Sequence, residues 1–240
     1  MSRWTALLGL LSILDTAPAR ANAVVDKGGR VEVDYSAQKI RFYGEATVKA
    51  EDGADGMKAA EKRARVDGMD YLTGSEGSKL LPFKPTDLRT GTNSYVTNYY
   101  ADGTVRVYLE TSLSEVAPKD LGFASKEKVD ASASSSSGVV FSVDKKAKPA
   151  PIYQIVDESG AVLFQAKDMA EAAYREGLMG RWLQRPSEKD LAAAVGIKPA
   201  RLALVSVAPG QFQVSRAVWD EVMKESRPHL VNGRVALLIP

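Results

Sequence analysis

Along residues 30–48 the chain alternates. Val31, Val33 and Tyr35 interleave with Glu32 and Asp34, and after Ser36-Ala37-Gln38 the alternation resumes, with Ile40, Phe42, Ala46 and Val48 on one side and Arg41, Tyr43, Glu45 and Thr47 on the other. A period of two marks half-buried strands, and the short break suits a hairpin. From residue 57 the period changes. Met57, Ala60, Ala64, Gly68, Tyr71 and Leu72 recur at helical spacing, on a face so poor in side chain that it can lie close against a sheet. The preceding run Glu51-Asp52-Gly53-Ala54-Asp55-Gly56 is predicted to cap that helix. It lacks the alternating ligands and closing bidentate Glu of a calcium loop. Period two returns over 93–100 and 104–116, joined by the turn signal Ala101-Asp102-Gly103. Val105, Val107, Leu109 and Leu113 are predicted to face the core, and Arg106, Tyr108, Glu110 and Ser112 to face outward.

Residues 131–137, Ala-Ser-Ala-Ser-Ser-Ser-Ser, interrupt every pattern. A serine run without large apolar side chains cannot offset the entropy of ordering, so a flexible linker is predicted there. Beyond Gly138, β-rich 139–143 leads through Lys145-Lys146-Ala147-Lys148-Pro149-Ala150-Pro151 to a hairpin, 152–156 and 161–164, around Asp157-Glu158-Ser159-Gly160. Helices are predicted over 167–176, from the cap Ser187 to Val195, and from the cap Ser215 with a stripe of Val218, Trp219, Val222 and Met223. Residues 201–208 read as a strand, and the closing run 234–239 as a continuous apolar strand buried on both faces. The expected fold class is α+β: an antiparallel sheet under one helix over 24–130, the linker 131–137, and a mixed α/β module over 138–240.

The first 23 residues are predicted to stand outside this fold. Arg3, the apolar run 4–14 and the small residues Ala19-Arg20-Ala21-Asn22-Ala23 have the order of a secretory signal peptide, cleaved near Ala23. The apolar run is shorter than a spanning helix requires, so no transmembrane segment is expected after cleavage. The mature chain is then periplasmic or secreted. With no cysteine, the sequence offers neither a disulfide nor a lipid-bearing thiol. A formal net charge of only +2 gives no electrostatic reason to expect nucleic acid as a partner.

The candidate chemistry is sparse. With one histidine and no thiol, metal sites built from His and Cys clusters are excluded, no cofactor is implied, and a cysteine nucleophile is impossible. His229 is expected to be solvated near a helix end. The acidic pairs Asp157-Glu158 and Asp67/Asp70 have structural readings, the first in a turn and the second screened by Lys62 and Arg63. Lys145, Lys146 and Lys148 form a candidate basic connection, read either as a small anionic-polymer contact or as a solvated link. The outward faces of two strands repeat one pattern, Arg41-x-Tyr43-x-Glu45 and Arg106-x-Tyr108-x-Glu110. Tyr and Arg are favoured interface anchors, so this is the candidate interaction face; an amphipathic sheet with cross-strand Arg–Glu pairs is the other reading.

Three segments of the first half, Gly44-x-Ala46, Ala60-x-x-x-Ala64-x-x-Asp67-x-x-x-x-Leu72 and Asp102-Gly103-Thr104-Val105-x-Val107-x-Leu109, together resemble a known family. It is the family of small bacterial outer-membrane lipoprotein antigens and flagellar basal-disk lipoproteins. The resemblance covers about residues 40–116 and implies a glycine-containing strand, an alanine-rich helix carrying an aspartate, and a closing hairpin. Gly68 departs from the family's usual alanine, and the lipid-bearing cysteine is missing. The second half is similar to the C-terminal part of longer exported relatives, at Gly138-Val139-Val140, Pro149-Ala150-Pro151-Ile152, Val156-Asp157-Glu158-Ser159-Gly160 and Gly233-Arg234-Val235. The expectation is a non-catalytic envelope protein that associates with other envelope proteins or with copies of itself, in an outer-membrane or flagellar setting. The alternative is a periplasmic ligand-binding module for cell-wall glycan or a small molecule. Intact-mass measurement of the chain recovered from the periplasm is expected to show an N-terminus at Val24; a product retaining residues 1–23 would remove the export reading.

Overall fold

The computed structural model describes residues 23–81, 83, 85 and 91–240. The signal-peptide prediction therefore lies outside the described residues, except for Ala23. Two sheet modules make an α+β structure, in agreement with the expected class.

The first sheet is antiparallel, built from β1 (Val25–Gly28), β2 (Val31–Asp34), β3 (Lys39–Thr47), β4 (Asn93–Tyr99) and β5 (Thr104–Ser112) in the order β1-β2-β3-β5-β4. Helix α1 (Gly56–Thr73) covers one face, packing on β3 and β5. Its buried positions are Gly56, Ala60, Ala64, Gly68 and Leu72, the small-residue face anticipated from spacing except that Met57, also placed on it, is exposed. The contact is between backbones. A Cβ on Gly44 would overlap the Ala64 carbonyl oxygen and the Gly68 amide, and one on Gly68 would lie 2.9 Å from the Gly44 nitrogen. That second distance explains why glycine stands at 68. The inward faces are as predicted: Ile40, Phe42, Val105, Val107, Leu109 and Leu113 are all buried.

Three local expectations need correction. The strand predicted over 104–116 stops at Ser112, whose hydroxyl accepts from the Ser114 amide (3.3 Å) and starts the short helix α2 (Leu113–Val116). The acidic run does not cap α1, because its N-cap Asp55 makes no side-chain cap bond. Asp52 serves the preceding turn instead, accepting from the Lys49 amide (2.8 Å) and from Arg63 (2.7 Å). Arg63 is thereby committed to Asp52 and the Thr47 carbonyl, and does not screen Asp67.

The second module contains β6 (Val139–Val143), β7 (Gln154–Val156), β8 (Val162–Gln165), α3 (Glu171–Gly177), β9 (Arg181–Gln184), α4 (Glu188–Val195), β10 (Ala200–Ala208), β11 (Gln211–Gln213), α5 (Arg216–Val231) and β12 (Val235–Ile239). Its sheet runs β8-β7-β11-β10-β6-β12-β9, in which β10, β6, β12 and the edge strand β9 are mutually parallel. Parallel strands need cover on both faces. Trp219 of α5 stacks on Phe141 at 6.4 Å on one side, and Val195 of α4 packs with Val140 and Ala236 on the other. Ser187 caps α4 as predicted, its Oγ accepting from the Asp190 amide (3.2 Å). Ser215 makes no side-chain cap bond to α5; the carboxylate of Glu158 takes the Arg216 amide (3.0 Å) in its place. Among the described residues no helix is long and apolar enough to cross a membrane.

The serine stretch does not behave as the free tether expected from its composition. Ser134 Oγ donates to the Glu225 carbonyl (2.8 Å), Ser136 Oγ meets Ser226 Oγ (3.1 Å), and Ser137 Oγ donates to the Val195 carbonyl (2.8 Å). Short hydroxyl side chains reach helix carbonyls without needing apolar contact. Gly138 continues the strap, because a Cβ there would overlap the Val195 carbonyl. His229 is also placed differently from expectation. It lies inside α5 and is buried, with Nε2 2.8 Å from the Ser136 carbonyl oxygen.

The two modules share one apolar core. At their seam, Ser36 Oγ donates to the Trp182 carbonyl (2.6 Å) and accepts from the Val24 amide (2.9 Å), and Ala23 bridges to Leu183. Gln38 Nε2 donates to the carbonyls of Gly177 and Gly180, the latter at 2.8 Å. Gly44→Ala is expected to cost about 3 kcal/mol or more, since an added methyl must separate two backbones. Urea denaturation measures it, with Gly53→Ala, whose position has open space but a positive φ, as a milder comparison.

Candidate functional site

The register of β3 against β5 assembles the candidate interaction face. Arg41 pairs with Glu110, Tyr43 with Tyr108 and Glu45 with Arg106, so two copies of the same pattern running in opposite directions place each arginine opposite a glutamate. Arg41 Nε lies 3.0 Å from Glu110 Oε2, and Arg106 Nε lies 2.6 Å from Glu45 Oε1. These four side chains are 25–29% exposed, so the pairs are only partly screened by water. Lys39 also bonds Glu110, and Arg41 reaches Glu32 on β2 (3.2 Å), extending the ladder across three strands.

Between the ion pairs lies an aromatic row. The rings of Tyr43 and Tyr108 are 5.6 Å apart and tilted, and Tyr95 stands 6.1 Å from Tyr108. Arg106 lies over Tyr43 at 4.4 Å and over Tyr100 at 5.4 Å, a cation–π arrangement that also holds its guanidinium for Glu45. Its Nη1 donates to the Tyr108 hydroxyl (3.3 Å). All six predicted face residues are thus brought together.

Four participants were not singled out from sequence: Arg30, Lys39, Tyr95 and Asp67 in its true role. Where β2 no longer pairs with β3, the Glu45 amide donates to Asp67 Oδ2 (2.9 Å), and the same oxygen takes Arg30 Nη1 (2.6 Å). Arg30 in turn stands 5.7 Å from the Tyr43 ring and 5.2 Å from that of Tyr71. The isolated aspartate on an otherwise small-residue helix face was the available signal.

Local charge favours the ionised forms. Partial burial works against the Glu110 carboxylate, but hydrogen bonds from Lys39 and Arg41 outweigh it and hold the group below its ordinary range. Burial likewise opposes the charge on Arg41, and Glu110 and Glu32 more than restore it. The arrangement can present two aromatic rings and two fixed guanidiniums to a partner with little further ordering. Its ion pairs leave no free carboxylate there for proton transfer.

The remaining candidates lie elsewhere. Lys145, Lys146 and Lys148 are exposed on the turn after β6, with Ala147 buried between them as an anchor. Asp157 is buried in its turn and accepts from the amides of Ser159 and Ala161 (2.9 Å each) and from Arg216 (3.0 Å). The Ser159 hydroxyl, the Ala161 amide and Arg216 outweigh desolvation and bring its pKa down to about 2. Together with Glu158 it fastens the β7–β8 turn to α5. Asp67 and Asp70 do not act as a pair, because Asp67 is turned to β3. Among the described residues no group of three or more His, Cys, Asp or Glu side chains is placed to hold a metal ion. No protein-family model and no curated protein matches this chain.

Because the folded-state pKa of Glu110 is depressed, its contribution is present above the unfolded value of about 4.3 and is lost as pH falls below it. The ladder is therefore expected to weaken as pH falls below about 4. Thermal melts from pH 7 downward should show Glu110→Gln lowering stability by a few tenths to about 1 kcal/mol at pH 7, with the gap to wild type closing at low pH.

Proposed function

We propose that the protein is a non-catalytic component of the bacterial cell envelope that acts by association, through the uncovered face of its first sheet. The observation that carries this reading is the row Tyr43–Tyr108–Tyr95, partly exposed and flanked by arginines already fixed by glutamates. Aromatic and arginine anchors dominate binding energy at protein interfaces, and side chains ordered beforehand lose less entropy when a partner docks. The partner is another envelope protein or a second copy of the chain. The order of residues at the N-terminus supports export, with a periplasmic or secreted mature chain. The resemblance of residues 40–116 to outer-membrane and flagellar lipoproteins supports the setting.

Crosslinking in intact cells, followed by mass spectrometry of the products, tests this. Wild type is expected to give a discrete complex, and Tyr43→Ala/Tyr108→Ala to lose most of it while keeping its circular dichroism spectrum. Equal yield from both would sink the proposed face. A strict monomer by light scattering with no crosslinked partner would sink the association itself.

A further inference from the structure

Where the first sheet's β2–β3 turn meets the second module, a cleft of about 310 Å³ opens between α3, α4 and the starts of β9 and β12. Clefts of this size at the junction of two modules are common ligand sites. Its polar lining is Gln38, Lys128, Glu176, Arg181, Asn232 and Arg234. Ala193 and Ala194 of α4 form another part of the wall and leave room that longer side chains would fill.

Two arginines stand together on this lining. Arg181 opens β9 in register with Ala236, and Arg234 immediately precedes β12; both line the cleft. Two like charges thus share one cleft. Both are exposed, and neither Arg181 nor Arg234 has an ion-pair or side-chain hydrogen-bond partner among the described residues. Glu176, which also lines the cleft, is engaged by Lys128 at 2.5 Å. Asn232 is occupied too, exchanging bonds with both backbone groups of Val129 (2.9 and 2.8 Å).

A structural duty at the nearby helix ends does not account for them. The carbonyls that end α3 and α5 already have backbone donors: Leu178 to Tyr174 (2.8 Å), Asn232 to Pro228 (3.0 Å), Gly233 to Leu230 (3.1 Å) and Arg234's own amide to His229 (3.0 Å). Gln38 spends its amide nitrogen on Gly177 and Gly180, which leaves Oε1 as an acceptor on the cleft wall. Two free guanidiniums beside an acceptor suit a ligand with an oxyanion at one end and a hydrogen-bond donor near it.

We propose that this cleft binds a small organic anion through a carboxylate or phosphate held between Arg181 and Arg234. The site shares no residue with the tyrosine face, so it stands or falls independently of the association reading. Isothermal titration calorimetry at low salt, with succinate and with inorganic pyrophosphate as separate probes, tests it on wild type, Arg181→Ala/Arg234→Ala and Arg201→Ala. Arg201 is an exposed arginine on β10 that does not line the cleft. Saturable one-site binding of at least one probe is expected, weakened at least about tenfold in the double variant and unchanged in Arg201→Ala. The probe that binds tells carboxylate from phosphate. The double variant without ligand should melt no lower than wild type, since its removal relieves like-charge repulsion. Failure of both probes to saturate wild type, or an equal loss in Arg201→Ala, would overturn the site. A lower melting temperature of the ligand-free double variant, with wild type indifferent to both probes, would return the arginines to a structural role.

Discussion

The first module depends on the absence of two side chains. With no Cβ at Gly44 and none at Gly68, α1 settles onto β3 at backbone contact, and the remaining geometry follows from that depth. Only a helix this close can offer Asp67 to the Glu45 amide, where β2 has ended and β3 would otherwise carry an unpaired edge. Asp67 then holds Arg30, and Arg30 leans over Tyr43. The conformation of the outer face is therefore set partly from beneath, by a residue on the covered side of the sheet.

Much of this was legible in the chain. Alternation located β2, β3 and β5 and sorted their inward from their outward residues, because one buried face imposes a strict period of two. The pairing within the face was implicit as well: a repeated Arg-x-Tyr-x-Glu on antiparallel neighbours, once tyrosine meets tyrosine, must set arginine against glutamate. What local pattern did not carry was long-range. β9 and β11 are four and three residues long and owe their existence to neighbours in the sheet rather than to their own periodicity. His229 gave no sign of burial, since its partner is a backbone carbonyl 93 residues away. The serine run misled for a physical reason: composition measures how little apolar surface a segment can bury, and is silent on whether its hydroxyls find carbonyls to bond.

The face and the cleft meet at one turn. Lys39 joins the ion-pair ladder through Glu110, while its neighbour Gln38 crosses to the second module and lines the cleft. Gln38 takes a positive φ of 56°, a conformation uncommon for a residue with a side chain, which aims its amide at Gly177 and Gly180. Adjacent residues at one turn thus belong to the ion-pair face and to the cleft.

The seam at Ser36 and Trp182 also bears on how the molecule is made. These residues are 146 positions apart, so their hydrogen bond closes one of the longest loops in the fold, which a chain emerging N-terminus first cannot complete until most of it has appeared. Until β9 has appeared, the Ser36 hydroxyl and the Tyr35 carbonyl at the end of the first hairpin lack the backbone groups they meet in the finished fold. High sequence separation slows closure, because chain entropy is lost before the contact rewards it. The first sheet is thereby early in the order of synthesis, yet the turn that ends its β2 waits some 140 residues or more for its neighbour.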